Sequence, residues 1–111
     1  MWYILLGMIV GAFIYKKFFA FNKNYKQIME QGAVILDVRT NQEYANGSIA
    51  NSINIPLGEL EGRIAEITNL QKPVITCCAS GIRSASALTI LKKNGVTGYN
   101  GGGFADLAKK I

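Results

Sequence analysis

Apolar residues are distributed differently in the N-terminal part of this chain and in the remainder. Residues 1–15 include no charged side chain, and Lys16 and Lys17 follow them directly. A membrane-spanning helix needs about 20 mostly apolar residues, and lysines near its end can extend towards the interface, so this run favours a transmembrane helix. Beyond it, short apolar runs alternate with segments of helical periodicity. We therefore expect a membrane anchor at residues 1–22 and a folded domain at residues 23–111.

The pattern within the domain predicts alternating strands and helices. Four short apolar runs are typical of strands, and they lie in the sequences AVILDVR, SINIP, PVITC and VTGYN. Helical spacing predicts helices at residues 24–32, 40–47, 57–70, 84–94 and 104–111. Thr40 and Glu43 have the spacing of a capping box at the start of one of them. Strands that alternate with helices indicate an α/β domain with a mainly parallel sheet.

Composition excludes several classes of site. The chain has no histidine, which excludes Ser-His-Asp, Cys-His and His-metal centres, and its two cysteines are too few for a four-cysteine zinc site or a disulfide scaffold. The formal charge is +5, but +3 of it lies in residues 1–30, next to the apolar run. This distribution does not favour nucleic-acid binding.

The candidate chemistry lies in the segment VITCCASGIRS, where a strand passes through a small polar loop into a helix. Ligands bind at the carboxyl edge of parallel sheets, and small loop residues leave their backbone N–H groups free to surround an anion at the helix N-terminus. A thiolate in that position needs no histidine. We expect Cys77, inside the strand, to be a buried apolar residue. The candidate site is Cys78 as nucleophile, with Ala79, Ser80, Gly81, Ile82, Arg83 and Ser84 around the substrate.

Four segments, in order, resemble the rhodanese-like (sulfurtransferase) family in its single-domain form. They are ILDVRTNQEYANGSI, NSINIP, TCCASGIRS and YNGGGFADL. The resemblance covers about residues 25–111 and implies a five-stranded parallel sheet with helices on both faces. It also implies that Cys78 carries sulfur as a persulfide, from a donor such as thiosulfate to a thiol or cyanide. No metal or organic cofactor is implied.

The chain departs from the family pattern at three positions. Ser48 stands where the family usually has histidine, and Leu107 where it often has tryptophan, and we interpret both as packing positions. Ala79 replaces a frequent arginine, so Arg83 is the only cation of the loop, which weakens the expectation of tight thiosulfate binding. In the family, the equivalents of Asp37 and Arg39 form a structural pair.

Two other functions remain open from the sequence. Counted from Cys77, the spacing to Arg83 and Ser84 is that of cysteine phosphatases and related arsenate reductases, although Thr76 stands in place of their usual histidine. Alternatively, the domain could be a membrane-tethered binding module that turns over little substrate. An intact Cys78 and Arg83 argue against that second alternative.

The first residues also predict where the domain lies. Four lysines follow the apolar run and none precedes it, which places the domain on the cytoplasmic side of an inner membrane as a single-pass protein. Gly7 and Gly11 form a G-x-x-x-G pattern, which could pair two anchors into a dimer. The expected partners are therefore a small sulfur donor, a thiol acceptor that could belong to a protein, and the membrane.

Overall fold

The structure, a computed structural model, describes residues 24–111. In chain order its elements are α1 (Tyr25–Glu30), β1 (Val34–Asp37), α2 (Asn41–Ala45), β2 (Ile53–Asn54), α3 (Leu57–Leu60), a 3₁₀ turn (Glu61–Arg63), α4 (Ala65–Thr68), β3 (Val74–Cys78), α5 (Ile82–Lys93), β4 (Gly98–Gly103) and α6 (Phe104–Ala108). No helix among these is long and apolar enough to cross a membrane. The anchor predicted at residues 1–22, with Gly7 and Gly11, lies outside the described residues.

The described strands form one parallel sheet in the order β2-β1-β3-β4. This confirms the α/β class and the parallel pairing. The prediction of five strands is wrong for residues 24–111, which contain four. The segment just before β1 is helical, as predicted: the Asn24 side chain accepts the Gln27 N–H at its start, and Gly32, with φ of 96°, ends it.

Helices cover both faces of the sheet, as expected. The apolar cluster on one face includes side chains of α3, α4 and α5, and the cluster on the other includes side chains of α1 and α6. Because side chains alternate along a strand, neighbouring residues enter different clusters. Leu36 and Cys78 belong to the first cluster, whereas Ile35 and Cys77 belong to the second. The two cysteines therefore have different surroundings.

Two elements differ in extent from the prediction. The helix expected over residues 57–70 is divided into α3, the 3₁₀ turn and α4, although its inward apolar positions Leu60 and Ile67 are buried and Leu57 and Ile64 are partly buried. The last strand continues through the glycines instead of stopping before them. A Cβ on Gly101 would lie 2.7 Å from the Thr76 carbonyl oxygen, so only glycine lets β4 approach β3 this closely.

Asp37 and Arg39 hold the connection between β1 and α2. Arg39 Nη2 donates to Asp37 Oδ2 at 2.8 Å and to the Gly47 carbonyl at 2.7 Å, and both charged side chains are buried. The guanidinium also lies 3.7 Å from the centroid of the Phe104 ring. These contacts agree with the structural role that the resemblance implied.

Candidate active site

The two adjacent cysteines end β3 and point to opposite faces of the sheet. Cys77 is 0% exposed and packs with Ile35 and Leu107, whereas Cys78 is 1% exposed and faces α5 near Ala87. Neither forms a disulfide. Solvent exposure therefore does not distinguish the two thiols, and any difference in reactivity must come from their surroundings within the protein.

The Cys78 thiol lies where the loop of residues 78–84 passes into α5. The Gly81 N–H donates to Sγ at 2.9 Å, and Sγ lies 3.5 Å from Ser84 Oγ. Burial raises the pKa of Cys78. Hydrogen bonds from the Ser84 hydroxyl and from the backbone N–H groups of Ser84, Gly81 and Ser80 outweigh burial and hold the pKa below its ordinary value. The arrangement thus stabilises a thiolate without a general base.

Cys77 lacks this stabilisation. Burial raises its pKa to about 12, and the negative charge of Asp37 acts in the same direction, while the positive charge of Arg39 opposes it. A thiol with such a pKa stays protonated at neutral pH, and the thiolate is the form that attacks. The burial of Cys77 among apolar side chains is as predicted.

Glycines of β4 lie directly beneath the active-site loop. β4 has one more residue than β3 between two of their pairings, and Gly102, with φ of 77°, accommodates this bulge. A Cβ on Gly81, which has φ of 104°, would lie 3.4 Å from Gly102 Cα. A Cβ on Gly103 would lie 2.8 Å from the Ala79 carbonyl oxygen. The loop can lie this close to β4 only because Gly103 has no side chain, and the positive φ of Gly81 and Gly102 favours glycine at those two positions.

Arg83 forms an ion pair across the loop. Its two terminal nitrogens donate to the two carboxylate oxygens of Glu43 at 2.7 and 3.0 Å. Arg83 is the largest cause that lowers the pKa of Glu43 to about 2, and the backbone N–H and hydroxyl of Thr40 contribute further. The negative charge of a Cys78 thiolate in turn helps to raise the pKa of Arg83. Arg83 thus braces the loop against α2 and lies within electrostatic reach of Cys78.

A comparison with known protein families identifies the family to which the domain belongs. The rhodanese-like domain matches residues 21–109 of the chain. The chain belongs to the rhodanese-like family. Relatives with established names include the thiosulfate sulfurtransferase PspE of Escherichia coli, which is 36% identical over 75 residues, 66% of this chain and 72% of PspE. The tRNA sulfurtransferase of Thermoplasma acidophilum is 31% identical over 86 residues, 78% of this chain.

Solved structures show the same fold. A rhodanese-related protein from Thermoplasma volcanium is 35% identical and superimposes with a TM-score of 0.66, covering 80% of this chain and 86% of that one. The chain spans only 17% of the length of the tRNA sulfurtransferase, so that protein contains much beyond the shared domain.

The predicted loop residues differ in how far they are exposed to solvent. Ser84 is buried beneath Cys78, and Gly81 is partly buried beside it, whereas Ala79 and Ser80 are exposed. Ile82 is 77% exposed, so its side chain lies in solvent. The loop therefore contributes mainly backbone N–H groups, the Ser84 hydroxyl and the Arg83 cation.

Two further residues of the site were not predicted from the sequence. The sequence predicts Glu43 only as a helix-capping residue and does not show that its carboxylate also meets Arg83. Asn100 accepts the Ser84 hydroxyl at 2.7 Å and the Gly102 N–H at 2.9 Å through Oδ1. A polar residue just before three glycines was the one available signal for Asn100.

The positions that depart from the family pattern have different surroundings. Leu107 is fully buried and packs as expected, but Ser48 is exposed, so its interpretation as a packing position was wrong.

Among residues 24–111, no three His, Cys, Asp or Glu side chains lie close enough together to hold a metal ion.

Proposed function

We propose that the domain is a sulfurtransferase that carries sulfane sulfur as a persulfide of Cys78. The observation that carries this proposal is the Cys78 thiol, buried at the carboxyl end of β3 and bonded by loop donors that lower its pKa. Several relatives are named sulfurtransferases, which supports the same chemistry here.

The proposed reaction has two halves. The Cys78 thiolate attacks the outer sulfur of the donor; a new S–S bond forms, and the old bond breaks with its electron pair on the leaving group, which is sulfite when thiosulfate is the donor. An acceptor thiolate or cyanide then attacks the outer sulfur of the persulfide, and the electron pair returns to Cys78 as the thiolate. The loop N–H groups stabilise the anionic sulfur in both halves. No oxidant or reductant is consumed.

The charges around the loop influence which sulfur donor the site can bind. Arg83 is the only cation of residues 78–84, and Glu43 already neutralises it. A dianion such as thiosulfate must share or displace that carboxylate, whereas a persulfide donor carries less charge. We therefore propose that thiosulfate is a weak donor and that the acceptor is a thiol, which could belong to a protein.

The phosphatase alternative receives less support. It requires Cys77 to begin the anion-binding loop, but burial raises the pKa of that thiol to about 12 and its side chain faces the opposite side of the sheet. A binding module without turnover would not need the donors that stabilise a Cys78 thiolate.

The experiment that tests the function is mass spectrometry of the purified full-length protein after incubation with thiosulfate. We expect a mass increase of one sulfur atom, mapped to the peptide at Cys78 and removed by cyanide with release of thiocyanate. Cys77→Ala should still form the adduct and Cys78→Ser should not. An adduct on Cys77, or turnover of an aryl phosphate that needs Cys77, would contradict the proposal.

We also propose that residues 1–22 tether the domain to the inner membrane with the domain in the cytoplasm and that Gly7 and Gly11 pair two anchors. The lysines after the apolar run support this orientation. A reporter that is active only in the cytoplasm, fused after Ile111, should give signal, and Gly7→Ile should abolish any crosslinked dimer. An inactive reporter would contradict the proposed orientation.

A further inference from the structure

The Ser84 hydroxyl lies beneath Cys78 with more acceptors than hydrogens. Its one hydrogen can point to the Gly81 carbonyl at 3.0 Å, to Asn100 Oδ1 at 2.7 Å or to Cys78 Sγ at 3.5 Å. Ser84 is fully buried, so water does not offer a further partner. The three acceptors therefore compete for one hydrogen.

The protonation state of Cys78 changes this competition. In the thiol state the S–H can donate to Ser84 Oγ, which leaves the Ser84 hydrogen for Asn100 Oδ1, the nearest acceptor. In the thiolate state the sulfur offers no hydrogen and becomes the acceptor with a full charge, which favours a hydrogen bond from Ser84. Asn100 Oδ1 then still keeps the Gly102 N–H at 2.9 Å.

We propose that Asn100 is a positioning residue that, through the Ser84 hydroxyl, sets how readily Cys78 becomes a thiolate. By accepting the Ser84 hydrogen, Asn100 stabilises the thiol state and withholds that hydrogen from the charged sulfur. Its consequence for sulfur transfer rests on the proposed function, whereas its effect on the Cys78 titration does not.

Other groups around Cys78 also influence its charge. Arg83 on α5 is paired with Glu43 on α2, Asp37 and Arg39 form a buried pair at the end of β1, and Cys77 stays protonated at neutral pH. Asp106 on α6 lies near Gly103 at the edge of the loop. None of these groups hydrogen-bonds Ser84 or the Asn100 side chain, so substitutions at those two positions leave their charges in place.

The test is the pH dependence of Cys78 alkylation by iodoacetamide in the full-length protein, with the modified peptide identified by mass spectrometry. Ser84→Ala removes a donor to the thiolate and should move the midpoint to higher pH. Asn100→Ala releases the Ser84 hydrogen and should move the midpoint to lower pH. Each shift should correspond to a threefold to tenfold change, as an approximate range, in the thiolate fraction below the midpoint.

The double variant separates positioning from general support of the loop. If Asn100 acts through Ser84, then Asn100→Ala should not move the midpoint in the Ser84→Ala background. If Asn100→Ala only loosens the loop, the alkylation midpoint should move to higher pH in both backgrounds, and that result would overturn the proposal. Circular dichroism of each variant checks that the domain is folded.

Asn100→Asp provides a second test should Asn100→Ala fail to fold. The carboxylate still accepts the Ser84 hydrogen and adds a negative charge, so the midpoint should rise more with Ser84 present than in the Ser84→Ala background. Equal rises would contradict the proposal. Because alkylation requires no sulfur donor, a protein without sulfurtransferase activity would disprove the proposed function but leave this test intact.

Discussion

Cys77 and Cys78 are adjacent, chemically identical and equally buried, yet their thiols are expected to behave in opposite ways. Burial raises the pKa of Cys77 to about 12, whereas loop donors keep the pKa of Cys78 below its ordinary value despite burial. The alternation of a β-strand places one thiol among apolar side chains and the other at the start of α5. The comparison indicates that burial controls the pKa of Cys77, whereas hydrogen bonds from the loop offset burial at Cys78.

The largest expected effect is the loss of Cys78 itself. Cys78→Ser should lower sulfur transfer from thiosulfate to cyanide by at least about a thousandfold, because in the proposed reaction Cys78 carries the persulfide and the Cys77 thiol stays protonated. Cys77→Ala should keep most of the activity and destabilise the domain by about 1 kcal/mol through lost packing. Steady-state assays measure the activity losses, and denaturant unfolding measures the change in stability. Comparable activity losses in the two variants would show that the two thiols do not differ in function.

A methyl group beneath the loop should have the next largest effect. Gly103→Ala places Cβ against the Ala79 carbonyl, which must move, and a displacement of about 1 Å in an active site can cost about a hundredfold in rate. The backbone of Gly103 suits any residue, so only this contact changes. Gly58→Ala is the control, because nothing lies within 4 Å of its Cβ. Equal kcat/KM in the two variants would show that the glycines do not support the loop.

Arg83 tests whether the cation near Cys78 contributes to donor binding. Arg83→Ala should lower kcat/KM for thiosulfate by about tenfold to a hundredfold, the scale of one charge-assisted contact. Arg63→Ala is a matched control, since Arg63 pairs with Glu59 and Glu66 on the surface and should leave kcat/KM unchanged. An unchanged kcat/KM in Arg83→Ala would restrict its role to bracing the loop.

The smallest expected effect is a pH-dependent change in stability from the Glu43–Arg83 pair. Arg83, with the backbone N–H and hydroxyl of Thr40, lowers the folded-state pKa of Glu43 from 4.5 to about 2, so the contribution of the charged carboxylate is present above pH 4.5 and is lost as the pH falls through about 2. The difference in Tm between wild type and Glu43→Gln, followed by calorimetry, should therefore narrow across that range.

Arg83→Ala provides the control for this titration. In the Arg83→Ala background, adding Glu43→Gln should cause only a small difference in Tm. A Tm difference that stays constant from pH 7 to pH 2 would show that Glu43 acts only as the helix cap.

Local sequence signals predicted much of the fold. Thr40 and Glu43 form both hydrogen bonds of the capping box, and Asn24 caps α1, because these contacts span only three residues. The prediction of a single helix over residues 57–70 was less accurate. Its apolar spacing is helical, but nothing in the sequence indicated the 3₁₀ turn that divides it. The fifth strand came from the resemblance alone, and residues 24–111 do not contain it.

Periodicity and the positions of strand ends predicted the parallel α/β domain and the loop that begins at Cys78. They also predict that Cys78, and not Cys77, reacts, and that stays a prediction. The pairing of Glu43 with Arg83, 40 residues later, and the contact of Asn100 with Ser84 from β4 became apparent only in the folded structure. Such contacts depend on which strands and helices become neighbours and on how closely glycine lets them approach, and neither property can be read from adjacent residues. The partners that influence Cys78 therefore became visible only once the chain was folded.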